Sequence, residues 1–229
     1  MNHEEPQLPA ATLDHLRAHH GDFEAFRDVM TATAPGRFGP LWWGVWDQYV
    51  SPELPGRPVV VDLGCGPGGL FVPLLAHRAD VRIVGVEVQP AMLTTARQLA
   101  ADLGDRAEVR IVEADLNGPL PLADASADAV TAVMVLHEMP FPVTLIAEAY
   151  RLLRPGGAMV IYDWCRQDLR DYIGDKQIDP GVIQHFREHC LYAAGDLAFL
   201  AERAGFVVLE VIGRRGGDYC MVALRKPGG

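Results

Sequence analysis

The spacing of apolar residues changes once along this chain, near Pro58, and separates a helical stretch from an alternating one. From Ala11 to about Ala34 apolar positions recur at helical intervals: Leu13, Leu16, Phe23, Phe26, Val29 and Met30. Gly21 divides that stretch into two expected helices, with Asp22 placed to cap the second. An aromatic-rich segment, Phe38 to Tyr49, follows, and the prolines between Ser51 and Pro58 stop any continuing helix. Residues 1–9 read as a frayed tail.

Beyond Pro58, short apolar runs alternate with helical patterns. Val59-Val60-Val61 has the wholly apolar character of a buried parallel strand. Further strands are expected at 82–87, 109–113, 127–135, 158–162, 206–212 and 218–224, and helices at 67–78, 90–103, 142–153 and 195–204. Only Arg214-Arg215-Gly216-Gly217 joins the last two strands, so they must pair antiparallel. The expectation is an α/β fold: a Rossmann-like, seven-stranded, mostly parallel sheet with helices on both faces and a terminal antiparallel hairpin. Residues 1–57 form a helical extension and 58–229 the sheet domain, interrupted by a polar insert at about 165–193.

Charge narrows the partners. A net charge of −10 repels phosphate backbones and anionic headgroups, and the densest basic run, Arg214-Arg215 with Arg225-Lys226 nearby, is too small to reverse that. Neither nucleic acid nor membrane is expected as a partner, and no apolar stretch approaches the ~20 residues of a membrane span. Cys65, Cys165, Cys190 and Cys220 contain no CxxC pair, and the polar, acidic start of the chain lacks a signal-peptide pattern. Both features suit a cytoplasmic protein, monomer or homodimer.

The chemistry begins at Val59-Val-Val-Asp-Leu-Gly-Cys-Gly-Pro-Gly-Gly-Leu70, a strand running through a glycine turn into a helix. Such a turn brings backbone close to a ligand and aims free N–H groups at it. Gly64, Gly66 and Gly69 also satisfy the dinucleotide pattern GxGxxG, so the glycines alone leave two cofactor classes open. Three acids distinguish them. Asp62 precedes the loop and suits an ammonium; Glu87 ends the second strand and suits both hydroxyls of an unphosphorylated ribose; Asp115 ends the third and suits an adenine amino group.

With those residues in place the chain resembles a class I S-adenosylmethionine-dependent methyltransferase of the type 11-like small-molecule group, over about Val59 to Lys226. The matching segments are Val61-Asp-Leu-Gly-Cys-Gly-Pro-Gly68, Glu87, Glu113-Ala-Asp115-Leu116, Asp128 to His137, and Leu153-Arg-Pro-Gly-Gly157. The resemblance implies S-adenosylmethionine as cofactor. Asp62, Gly64, Cys65, Gly66 and Gly68 would line its methionine and ribose, and Glu87 would hold the ribose. Val88, Met92, Asp115 and Leu116 would meet the adenine, with Leu136 and His137 closing the pocket. It also implies that N-terminal helices lid the active site, and the position of the insert in the fold places it over the substrate side.

Methyl transfer to a small-molecule acceptor is an in-line displacement that depends chiefly on positioning, with a general base where the acceptor carries a proton. His137, after the fourth strand, is the leading base candidate. Glu138, Asp163 and Trp164 point from strand ends toward the same crevice, and Trp43 and Tyr49 represent the aromatic segment on the substrate side. His189 and Tyr192 are candidates from the insert. His185-Phe-Arg-Glu-His189 matches the HxxEH zinc pattern, but a third ligand would have to come from the residues that follow, such as Glu202 or Glu210, which belong to the helix and strand closing the sheet, and no metal is expected. Alternatives to methyl transfer are aminoalkyl transfer or cyclisation from the same cofactor, or a catalytically silent binding protein. A dinucleotide oxidoreductase is disfavoured by Asp62, Asp115 and the closing hairpin.

Overall fold

A computed structural model describes residues 8–213 and 218–228; the Arg214–Gly217 link and most of the 1–9 tail lie outside the described residues. The first strand, β1 (Val59–Leu63), pairs in parallel with β2 (Arg82–Glu87) on one side and β4 (Ala127–Val133) on the other. With β3 (Glu108–Glu113), β5 (Leu153–Trp164), β6 (Val207–Gly213) and β7 (Tyr219–Arg225), the sheet order is β3-β2-β1-β4-β5-β7-β6. β7 runs antiparallel to both of its neighbours, β5 and β6. The order reverses between β1 and β4, and a crevice opens there at the carboxyl ends of the strands.

Alternation along each strand builds two apolar layers. Val60, Ile83, Ala129 and Val160 face one layer with Trp42, Trp46, Phe71 and Leu74; Val61, Val130, Met159 and Val222 face the other with Leu145, Ile146 and Leu197. The helices supplying these residues are α3 (Pro40–Tyr49), α4 (Phe71–His77), α6 (Pro142–Leu152) and α9 (Ala194–Arg203), while α5 (Pro90–Leu103) lies along β2 and β3.

Two boundaries differ most from the sequence expectation. α4 starts at Phe71, not residue 67, because residues 64–70 remain a turn with Gly64, Gly66 and Gly68 at φ +73°, +55° and +88°. β5 starts at Leu153 because Gly156 and Gly157 exchange backbone hydrogen bonds with Lys226 at 3.0 and 2.9 Å, prolonging the ladder.

Ahead of the sheet, α1 (Leu8–His20) and α2 (Phe23–Thr33) meet at Gly21, and Asp22 caps α2 by accepting from Ala25 N–H at 2.8 Å. The insert contains α7 (Leu169–Ile173) and α8 (Pro180–His189). No helix among the described residues is long and apolar enough to cross a membrane.

Candidate active site

A cavity of about 640 Å³ occupies the crevice, within the ~300–1,000 Å³ usual for small-ligand sites. Its floor is the strand ends and its roof is the α1–α2 pair.

At one end the glycine turn is locked to the acids. A side chain at Gly64 would begin 2.5 Å from Val135 Cγ2, so backbone alone fits there. Gly66 N–H donates to Glu87 Oε2 at 3.0 Å, and Val88 and Gln89 N–H donate to Oε1 at 2.8 and 2.9 Å. Gln89 then caps α5 by accepting from Met92 N–H, so acid, loop and helix start form one rigid unit. Burial raises the Glu87 carboxyl above its ordinary range, opposed by those three donors. Asp62, behind the loop, is raised to about 7 by burial and the charge of Glu87, against the hydrogen bond Thr131 donates at 2.7 Å. Asp115 accepts from Asn117 N–H at 2.9 Å through Oδ1 and from the lid's Thr12 hydroxyl at 2.6 Å through Oδ2.

At the other end β4 breaks at Met134, which is held at φ +56°, a left-handed conformation costly for a side chain of its kind. That kink turns residues 136–138 into a short 3-10 helix that Asp163, at the end of β5, holds through Leu136 N–H and His137 Nδ1. Asp163 accepts from Val135, Leu136 and Trp164 N–H and from His137 Nδ1 at 2.5 Å. His137 Nε2 faces Glu138 Oε1 at 3.0 Å. Burial lowers the imidazole, but the charge and hydrogen bond of Asp163, then Glu138, prevail and raise it to about 10. A cation engaged at both nitrogens has no lone pair to offer, which argues against His137 as a free base at neutral pH.

Glu138 lies among imidazoles. His20 Nε2 is 2.8 Å from Oε1, His189 Nε2 is 3.6 Å from the same atom, and His19 Nδ1 is 3.6 Å from Oε2. Burial raises this carboxyl, yet bonds from His137 and His20 hold it well below the usual range. His189 is lowered to about 4 by burial and the charge of His137, and is neutral.

Of the residues singled out from sequence, Gly64, Gly66, Glu87, Val88, Met92, Asp115, Leu116, His137, Glu138, Trp164 and His189 line this cavity. Asp62, Cys65, Gly68, Leu136 and Asp163 lie outside its lining; the first four are packed beneath or beside it, and Asp163 acts through His137. Three substrate-side assignments are corrected. Trp43 stacks on His77 at 4.2 Å, Tyr49 donates to Glu210 at 2.8 Å, and Tyr192 packs on the helical layer while its carbonyl holds Arg166 N–H. The aromatic segment is used up as core, with Trp42 and Trp46 each 1% exposed. The roof comes from α1 and α2, through Thr12, Leu16, His20, Phe26 and Met30. The resemblance implies that helices of this region lid the site, but none of these residues is a candidate in the sequence; the repeat His15, His19, His20 on one helix is the available signal.

A methyltransferase-domain family model matches residues 61–161. Among curated relatives, arsenite methyltransferase of Halobacterium salinarum is 31% identical over 157 residues, 66% of this chain and 38% of that protein. Trans-aconitate 2-methyltransferase of an Azoarcus species is 38% identical over 115 residues, 50% of this chain and 42% of that protein. The chain thus spans about two fifths of the length of these relatives. The solved structure of the [4+2]-cyclase SpnF superposes with a TM-score of 0.65 at 21% identity, covering 82% of this chain and 81% of that one, a likeness of fold. The family match spans β1 through most of β5, the strands that carry the glycine turn and both strand-end acids, and its relatives methylate. Over residues 61–161 the chain matches a methyltransferase domain, and that match, the fold and the strand-end acids together support a class I S-adenosylmethionine-dependent methyltransferase with S-adenosylmethionine as its cofactor.

Proposed function

We propose that this chain transfers a methyl group from S-adenosylmethionine to a small-molecule acceptor enclosed between the α1–α2 roof and the ends of β4 and β5. One observation carries the reading: a single cavity is lined at one end by Glu87 and Asp115 and at the other by His137, Glu138 and Trp164. Such continuity is what donor and acceptor need to meet in line.

The cofactor supplies an electrophilic methyl on a sulfonium. Glu87 would hold the ribose diol and Asp115 the adenine amino group, with Asp62 and the glycine turn nearest the methionine. The acceptor would lie against Trp164, Tyr162 and Tyr219, under Leu16 and Phe26. The acceptor would present its lone pair in line with the methyl group the cofactor would supply when bound, and any acceptor proton would leave to solvent. Largely apolar walls suit a compact organic acceptor with one polar end, and the relatives named for arsenite and trans-aconitate show how far acceptors vary within such sites.

The test is to incubate the chain with S-adenosylmethionine carrying a labelled methyl group and fractionated metabolites. S-adenosylhomocysteine and one labelled product are expected; methylthioadenosine would show arm transfer instead. No binding of S-adenosylhomocysteine at any accessible concentration would end the reading.

A further inference from the structure

The concentration of imidazoles around Glu138 exceeds what a methyl transfer needs. His137 comes from the turn after β4, His189 from the last turn of α8, and His19 and His20 from the end of α1. Three separate elements deliver histidines to one carboxylate beneath a roof.

The atoms are spaced as ligands. One ligand atom from each of His137, Glu138 and His189 lies within 4.8 Å of the other two. His137 Nε2 and His189 Nε2 stand 3.0 and 3.6 Å from Glu138 Oε1. A tetrahedral ion with bonds of ~2.0–2.1 Å separates its ligands by about 3.3 Å, which those two distances bracket. Glu138 Oε2, His189 Nδ1 and His19 Nδ1 are buried without a hydrogen-bond partner. Asp163 grips the far nitrogen of His137 at 2.5 Å while three backbone N–H groups fix the carboxylate, the support that presents a ligating imidazole in one orientation. The HxxEH segment therefore contributes differently from its pattern. Glu188 turns outward to Gln184 and Glu210 is bound to Tyr49; His185 lines the cavity but is paired with the Tyr172 hydroxyl, and His189 joins His137 and Glu138 from much earlier in the chain.

We propose that His137, Glu138 and His189 form a three-ligand site for a divalent first-row transition ion, with its remaining positions open to the cavity. Two imidazoles and one carboxylate suit zinc or ferrous iron, the ion displacing the proton that otherwise lies between His137 Nε2 and Glu138. A closed structural site would have four protein ligands, whereas three leave room for an acceptor. The acceptor class that follows is one bearing an oxygen donor, such as a hydroxyl beside a carbonyl or carboxylate. That last step rests on the methyl-transfer reading; the metal site itself does not.

The experiment uses the untagged full chain, stripped with a chelator and titrated with zinc(II) against a chromophoric competitor. One zinc per chain is expected at micromolar affinity or tighter. Glu138→Gln and His189→Gln should each weaken it at least 100-fold, and Asp163→Asn by about 10- to 100-fold through His137. His77→Gln, a histidine stacked on Trp43, should leave it unchanged. Cobalt(II) replacing zinc should give visible absorption bands that are lost in Glu138→Gln. Circular dichroism and S-adenosylhomocysteine binding, read on every variant, separate misfolding from ligand loss. Zinc binding weaker than 100 µM in the wild-type chain, or unaltered in a folded His137→Gln/His189→Gln variant, overturns the site. Zinc binding without any S-adenosylhomocysteine binding would leave the metal site standing and remove the methyltransferase reading.

Discussion

Replacing Glu87 by glutamine tests the cofactor assignment at its most constrained point. Oε1 accepts two backbone donors and Oε2 a third, from Gly66 at 3.0 Å. The amide oxygen would keep the pair at Val88 and Gln89, setting its NH₂ against the Gly66 N–H, donor facing donor. A hydrogen bond to a charged group contributes about 1.5–3 kcal/mol, so losing the acceptor for one ribose hydroxyl should weaken S-adenosylhomocysteine binding about 10- to 150-fold. Isothermal titration with S-adenosylhomocysteine and its 2′-deoxy analogue isolates the contact. Wild type should prefer the hydroxylated ligand, and the variant should bind the two nearly alike. A folded Glu87→Gln chain that binds within threefold of wild type, or keeps that preference, refutes the ribose role.

Other outcomes follow from the same geometry. Asp115→Ala should reduce S-adenosylhomocysteine affinity about tenfold and free Thr12, so that hydrogen exchange accelerates in α1. Trp46→Ala, at a core position 1% exposed, should cost about 3–5 kcal/mol in urea unfolding without altering the cavity's ligand preference. Because the folded chain holds the Asp62 proton up to about pH 7 and an unfolded aspartate releases it near pH ~4, the stability Asp62 contributes is full below about pH 4 and declines as pH rises toward 7. Asp62→Asn should flatten that decline in urea midpoints of the cofactor-free protein; an unchanged pH slope would contradict the burial argument.

How much of the site a sequence reveals depends on how locally it is made. Glu87 and Asp115 sit at the ends of β2 and β3, beside a glycine turn that ends β1, so strand register alone delivers them to one crevice. The acceptor side has no such register. Glu138 meets His20 across 118 positions and His137 meets His189 through an insert helix whose placement no local pattern encodes. Aromatic content pointed to residues 38–49, but a large ring serves a core as readily as a pocket, and here the sheet face took Trp42 and Trp46. Histidines at 15, 19 and 20 share a face near the end of α1, where protonated imidazoles also suit the helix terminus, so their spacing carried two readings.

The bond between Thr12 and Asp115 also bears on how the molecule comes together during synthesis. The roof helices are translated before any strand, yet their anchoring partners, Asp115 and Glu138, emerge more than a hundred residues afterwards. Until then α1 and α2 have little to rest on, for a helix that short is marginal alone. Their full anchorage then comes late, for beyond the packing of α2 on α5 it rests on bonds that reach across about half of the polypeptide. The last piece to dock is then among the first to lift, which makes it the natural doorway for whatever enters and leaves.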